Sequence, residues 1–574
     1  MKRLRVNELN VFSGGMNTVE APYLIDSSES TLLINADIRR GAIWSMPERM
    51  KKLDLSYLYW FQFKGDIYQY GTWRSNVVWD NTWYWADGAF TGKVLPDGTE
   101  LPLGLPTPTV RPTLTSTGVD TGIHEGEFRY CYTFLDSTTG TESAPSPLSA
   151  YISVTKEDIV IDNFETLPPS VDTYRIYRIG GYLPYFMLVE EIKAADLPYI
   201  DSLDESQIRG TILGTLRNGP PPSGINYLTE MNGRVYAAEG NKLYYSAVGN
   251  PDSWYNYDFI SVKDEVLGLA KAPGGLLVFG NTWTLLLRGD DPHNFQLQVL
   301  SDKVGLIKAE SINYVGSSVI WLSNHGVVIS DGYTINQLTS DKIEEVSGIV
   351  PTGSQVLNNV YYMSFKPELY PAEDLYPSES LYPNGVKGVA GVTQGILAMD
   401  FKRGKGYSYK IINHPDIEYL DVVDGVIGIT NGQWNKPAYN CDITAYSDCL
   451  DFTLCSGLEL AYLTSPTYSN DILLDELSEI EYISPLLIDG TNSTMKEYER
   501  IRLLFKGVFK LEVYFDNNRK VAEKWFISTP ENKYQYSELG IPNDDDKAYS
   551  IRFKLTGRGV LKGLQYTYKY REHD

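Results

Sequence analysis

Cysteine and histidine are almost missing from this sequence, with four Cys and five His in 574 residues. Cys131, Cys441, Cys449 and Cys455 form no C-x-x-C pair and have no histidine close by, whereas zinc needs four well-placed nitrogen or sulfur ligands. So few thiols argue against a disulfide-stapled secreted fold and fit a protein made in a reducing cytoplasm. The start, MKRLRVNELNVF, is basic but has no apolar run behind it, so it does not read as a signal peptide. No stretch approaches the roughly 20 apolar residues of a membrane helix.

Catalytic signatures are also lacking. His124, His293, His325, His414 and His573 show no metal or triad spacing and follow no nucleophile elbow. There is no phosphate-binding loop and no dinucleotide fingerprint; RGKG at 403–406 has neither spacing. Asn543-Asp544-Asp545-Asp546 lacks the alternating ligands, Gly turn and distal Glu of a calcium loop. Asn81-Thr82-Trp83 and Asn281-Thr282-Trp283 match the end of a sialidase Asp box, without its Ser and Asp. No catalytic residue, cofactor or metal is expected.

Aromatic residues, by contrast, are abundant: 43 Tyr, 19 Phe and 11 Trp make 13% of the chain. They favour pleated strands, and 49 Gly with 30 Pro fit many short strands joined by tight turns. Hairpins of one style recur: a strand, a short polar turn, then a strongly apolar second strand. The second strands lie near Ile67, Val235, Leu276, Val319, Val360 and Val426. Successive spacings from Val235 to Val360 are 41, 43 and 41 residues. The step to Val426 is 66, and returns to 42 once a Pro-rich insert of 24 residues at 366–389 is removed. A period of 40–45 residues with several strands per unit is that of a propeller blade. The expected fold is all-β, an irregular β-propeller of about six blades.

Two insertions interrupt this rhythm. Pro-rich boundaries flank 105–222, and the strands FRYCYTFLD and DTYRIYRIGG within it resemble a fibronectin type III β-sandwich. The second insert repeats one motif every six residues: Leu369-Tyr370-Pro371, Leu375-Tyr376-Pro377 and Leu381-Tyr382-Pro383. Each Pro keeps the preceding Tyr extended, giving a stiff loop that is either an inert protrusion or a tip or gate. The expected organisation is 1–104 with the first blade, 105–222 the sandwich, 223–440 the remaining blades, and 441–574 a C-terminal β region. In that last region ERIRLLFKG, FKLEVYFDN, YSIRFKLTG and LKGLQYTYKY read as an antiparallel sandwich closing or flanking the ring.

Positive charge is scarce in one place. The chain carries −23 overall, yet 416–489 holds 14 carboxylates and the single base Lys436, a balance of −13. Such a segment is either a solvated surface or one built to avoid a polyanion, since phosphate affinity comes from clustered Lys and Arg. Asp416, Glu418, Asp471, Asp475, Glu476, Glu479 and Glu481 belong to this segment, and they become the candidate lining of an acidic channel only through the family resemblance that follows.

From Leu243 to Gly332 an ordered series of short motifs resembles the tail nozzle, or tail tubular, family of short-tailed bacteriophages (podoviruses). The series runs from Ser246 and Gly249-Asn250-Pro251 with Trp254, through Leu276 to Phe279 and Trp283 to Phe295. It continues with Val304-Gly305 and ends at Trp321 to Gly332. The run SGGMNTVEAPYLIDSSESTLLINADIRRGAIWSMPE resembles the family's opening. The 105–222 module and the LYP insert depart from the common pattern. The resemblance implies a virion tail protein assembled in the host cytoplasm, without catalytic residues. It implies a homohexameric ring that meets portal or adaptor and tail fibre proteins and conducts genome DNA without binding it. The alternatives are a receptor- or glycan-binding tail propeller, which needs an exposed aromatic cluster around a pocket, and a hydrolytic propeller, which needs a carboxylate pair.

Overall fold

The structure is a computed structural model. It describes residues 4–12, 14–38, 41–45, 51–55, 59–169, 171–208, 210–339, 346–347, 349–367, 388–389, 394–401, 408–413, 417–423, 426–431, 456–461, 479–490, 493–516, 518–528, 534–542 and 546–570. It is all-β, with many antiparallel sheets and short 3-10 turns such as Ala309–Ser311.

Local sequence explains the repeating unit. Apolar strands broken by Asn-Gly, Gly-Gly or Gly-Ser turns can only fold back on their neighbours, and four in a row make a meander. Sheet A consists of Ser75–Trp79, Thr82–Ala86, Thr91–Val94 and Glu100–Pro102. Sheet B consists of Asn226–Met231, Arg234–Glu239, Lys242–Tyr245 and Phe259–Ser261. Sheet C runs through Gly268–Ala272, Gly275–Phe279, Thr284–Arg288 and Gln296–Ser301. Sheet D runs through Asn313–Val315, Ser318–Ser323, Gly326–Ser330 and Ile335–Gln337. Sheet E has Ile349–Leu357, Val360–Pro367, Gly395–Asp400 and Ser408–Asn413.

Sheet F breaks the sequential order. Ile417–Val423, Val426–Asn431 and Ser456–Ala461 are completed by Lys51–Leu55, a strand some 400 residues earlier in the chain. Hairpin G, Tyr59–Phe63 with Asp66–Tyr70, follows directly. The expected second strands at Ile67, Val235, Leu276, Val319, Val360 and Val426 are all present. Sheet A was not marked by the period.

Between sheets A and B the chain leaves to form a two-sheet unit. Thr113–Ser116, Ile159–Asp162 and Tyr199–Asp201 make one sheet; His124–Asp136, Thr173–Gly180 and Leu183–Ile192 dominate the other. Both bury side chains in one core that includes Tyr130, Tyr132, Ile161 and Ile176.

The C-terminal region differs from expectation. Its four strand-like stretches merge into two 20-residue strands, Lys496–Phe515 and Ile551–Tyr570, paired from end to end. At about 3.3 Å per residue this ribbon is roughly 65 Å long. Glycines that look like strand ends instead allow close approach at its middle: a Cβ on Gly507, at φ +119°, would lie 2.2 Å from the Arg558 carbonyl oxygen. The ribbon flanks sheet E. Leu32–Ile34 and Ile480–Ile483 bridge the two, and Arg5–Leu9 pairs with Ile551–Tyr570. Sheets D and E share one core with the ribbon, through residues such as Leu322, Met363, Phe505 and Phe553.

Asp489 ties these pieces together. Asn7 and Tyr566 donate to its Oδ1, Tyr566 at 2.8 Å, and Tyr498 donates to Oδ2 at 3.5 Å. Burial raises its carboxyl above the ordinary range, against the lowering effect of those donors. Because the folded value is the higher one, its contribution to stability is full below the unfolded value of about 4 and is lost as pH rises through the folded value. Asp489→Asn should therefore gain stability relative to wild type as pH rises from about 4 towards neutrality. Urea unfolding at the two pH values measures this, and a pH-independent difference would refute it.

Candidate functional site

The first strands of successive sheets face one another, and a chain of polar contacts joins them. The Leu228 N–H of sheet B donates to Ser75 Oγ of sheet A at 2.7 Å. Lys271 of sheet C meets Glu230 of sheet B at 2.8 Å, and its own N–H donates to the Tyr314 hydroxyl of sheet D at 3.2 Å. Asn313 Nδ2 donates to the Ser354 carbonyl at 3.1 Å and to Gln355 Oε1 at 3.2 Å in sheet E. Gln355 Nε2 then donates to buried Asp421 Oδ1 of sheet F at 2.7 Å.

Aromatic rings close the circuit. Tyr419, on the same strand as Asp421, packs edge-on against Tyr59 of hairpin G at 5.1 Å and against Trp60 at 6.1 Å. Phe61 and Tyr68 of the hairpin pack on Trp83 of sheet A at 4.8 and 5.3 Å. Burial, then the nearby Asp421 carboxylate, pushes the Tyr419 and Tyr70 hydroxyls far above their usual range, so both stay neutral.

Between the first strands of sheets A to D lies a cleft of about 440 Å³, lined by Val77, Val78, Thr229, Glu230, Lys271 and Tyr314 among others. Glu230 is the carboxylate in its lining, and it is committed to Lys271. Glycoside hydrolysis uses two carboxylates at a set separation, and the described lining does not supply a pair. Among the described residues, no group of three or more His, Cys, Asp or Glu could hold a metal.

The sequence-derived candidates are only partly brought into view. Asp416, Asp471, Asp475 and Glu476 lie outside the described residues, as do all nine residues of the LYP repeat. Glu418 lies in the first strand of sheet F, and its side chain is likewise outside them. Glu479 is exposed beside the ribbon, and its carbonyl accepts from Asn35 Nδ2. Glu481 pairs with Lys554 of the ribbon at 2.7 Å, which neutralises it locally. Sequence reasoning did not single out Glu230, Lys271 or Tyr314. Their signal was there: each sits opposite the second-strand landmark Val235, Leu276 or Val319, so they recur with the same 41- and 43-residue spacing.

Two buried polar clusters lie elsewhere. In the inserted unit, Arg178 NH1 and Tyr130 Oη each approach Asp201 Oδ2 at 2.7 Å, and His124 Nε2 lies 2.9 Å from the Asp201 carbonyl. Arg178 and Asp201 are fully buried, so this cluster is sealed from any substrate. At the root of the insert, Lys93 Nζ meets Asp252 Oδ2 at 2.7 Å, and the Gly104 N–H donates to Oδ1 at 2.9 Å. Trp254 exchanges two 2.9 Å backbone bonds with Gly219. The Gly249–Trp254 motif thus staples both ends of the insert to sheets A and B. Further along the same series, Trp321 Nε1 donates to the Gly305 carbonyl at 2.9 Å, and the Gly274 N–H donates to the Asp331 carbonyl at 3.0 Å. These motif residues are joints between sheets C and D.

No protein-family model and no curated protein matches the chain. Solved structures give distant likenesses. A chain in a S. cerevisiae assembly of Dbp5, Nup159 and Gle1 with IP6 and ADP is 9% identical at TM-score 0.23. That match covers 49% of this chain and 66% of the other, just under two thirds of its length. An exo-β-1,3-galactanase of Phanerochaete chrysosporium with β-1,3-galactotriose is 7% identical, over 59% and 94% of the two chains, at TM-score 0.19. The Cps50 (Swd1) β-propeller domain of Myceliophteria thermophila is 12% identical, over 61% and 100%, at TM-score 0.20. At such scores these likenesses assign neither activity nor partner.

Three substitutions test this geometry. Gln355→Ala removes the amide donor from buried Asp421 and should cost about 1–3 kcal/mol in urea unfolding. Gln355→Glu should cost more, because it sets a second carboxylate against the first. Asp252→Ala strands the buried Lys93 and should cost about 3–5 kcal/mol. It should also speed proteolysis at the Pro-rich straps around 105 and 220; unchanged cleavage there would remove the staple.

Proposed function

We propose that sheets A to F and hairpin G are the blades of an irregular β-propeller, and that the chain is a structural nozzle protein of a podovirus tail. On this reading it forms a homohexameric ring below portal or adaptor proteins, beside tail fibres, and conducts genome DNA during ejection. It works without catalysis or a cofactor. The observation that carries the reading is the order of the motifs from Leu243 to Gly332. Its support is physical: the motif residues hold sheet to sheet and insert to ring, so a shared series reflects a shared scaffold.

Charge adds a reason for the role. DNA retained by a basic lumen would stall, because each neutralised phosphate adds affinity through counterion release. A chain at −23, with −13 concentrated in 416–489, opposes such retention. Repulsion acts within a Debye length of roughly 8 Å at physiological salt, so it matters only for carboxylates facing a narrow channel. On this reading the LYP repeat upstream is the candidate tip or gate.

Two measurements test the proposal. Electron microscopy of virions with a labelled chain should place it in a sixfold ring at the distal tail; another symmetry or position would sink the nozzle reading. Replacing Asp471, Asp475, Glu476 and Glu479 by Lys should leave assembly intact and slow ejection most at low salt. Equal ejection rates at low and high salt in intact particles would leave the acidic run as ordinary solvated surface.

A further inference from the structure

A second, smaller cleft opens where the insert meets sheet B. Its volume is about 230 Å³, and its walls come from separate parts of the chain. Leu216 and Arg217 lie on the strap leaving the insert, Thr107 on the strap leading into it, and Ala144 in one of its turns. Tyr255, Asn256 and Tyr257 lie on the loop after the Gly249–Trp254 motif. Single exposed aromatics are ordinary on a protein surface, but an aromatic pair around a cleft needs an explanation. Tyr257 is 77% exposed and its ring centroid lies 5.3 Å from that of Tyr255, the two rings tilted by 57°.

The groups are held in place before any ligand arrives. The Asp258 N–H donates to the Tyr255 carbonyl at 2.8 Å, closing the turn that carries both tyrosines. Behind that turn, Trp254 is buried and bonded to Gly219. Arg217 lies over the Tyr255 ring at 5.1 Å and reaches Asp258 through NH1 at 3.5 Å. An arginine has five N–H donors, and this side chain is 70% exposed, so donors remain for a ligand.

We infer that this cleft is a saccharide-binding site, with Tyr257 and Tyr255 as stacking rings and Arg217 and Asn256 as hydrogen-bonding groups. A sugar ring presents an apolar C–H face and a rim of hydroxyls, which suits rigid amphipathic tyrosines flanked by a few polar groups. The volume is below the roughly 300–1,000 Å³ of drug-sized pockets, so the occupant is one or two sugar units of a longer glycan. Nucleic acid is disfavoured, because the single arginine is already shared with Asp258 on a chain of −23. A purely apolar ligand would leave Thr107 and Asn256 without partners. The inference is independent of the nozzle reading: a DNA-conducting ring that binds no sugar would overturn this site alone.

The test is saturation-transfer NMR on the purified full chain with lactose, maltotriose, chitotriose and tri-galacturonate, the last separating carboxylate from hydroxyl recognition. At least one should bind with a dissociation constant on the order of millimolar. Tyr257→Ala should weaken that binding about tenfold or more, Tyr257→Phe much less, and Arg217→Ala should act most strongly on the uronate. Thermal melting should be unchanged in all three variants, since both side chains are exposed. Absence of binding to all four sugars, or binding unaltered by Tyr257→Ala and Arg217→Ala, overturns the assignment.

Discussion

The circuit of contacts between first strands is the constraint on which the rest of this molecule depends. A four-stranded meander has two faces to cover and cannot bury both alone, so each sheet is stable only between neighbours. The contacts between first strands set those neighbours in register, and they are mostly polar: Ser75, Glu230, Lys271, Tyr314, Asn313, Gln355 and Asp421. Polar groups in such a place must find partners or weaken the fold. Here each of these groups has a partner in a neighbouring sheet, so satisfying one strand orders another. The series of contacts returns to its start only when Lys51–Leu55 and hairpin G, early in the chain, meet strands late in it.

This arrangement explains where extra chain can be accommodated. The inserted unit leaves after the last strand of sheet A and returns before the first strand of sheet B, so it interrupts a connection and no sheet. Its position is then held by Asp252, Trp254 and Gly219, with Asn218 Nδ2 donating to the Glu142 carbonyl of the insert at 3.0 Å. The same joint creates the aromatic cleft. A cleft at such a joint depends on how the insert sits against sheet B.

The C-terminal ribbon solves a different problem. Its alternating burial puts one face on the core shared with sheets D and E and leaves charged residues on the other. On that outer face Lys510 and Lys520 share Glu512 and Glu523. Exposed networks of this kind contribute little each, so the apolar face holds the ribbon to the body. Glu481, inside the acidic segment but paired with Lys554, shows that net charge along the chain and charge presented to solvent are different quantities.

By itself the sequence determined the all-β character and the hairpins at Ile67, Val235, Leu276, Val319, Val360 and Val426. These rest on alternation and turn chemistry, which act within about ten residues. Sheet A escaped notice because the insert follows it and breaks the period on one side. The tertiary structure alone decided that Lys51–Leu55 completes sheet F, that Gly507 sits inside a strand and not at its end, and that Glu230 meets Lys271. The same holds for Tyr257 and Arg217, 40 residues apart and brought together only by the docked insert. Each depends on a partner distant in the chain, and no local pattern encodes which distant strand a hydrogen-bonding edge will meet.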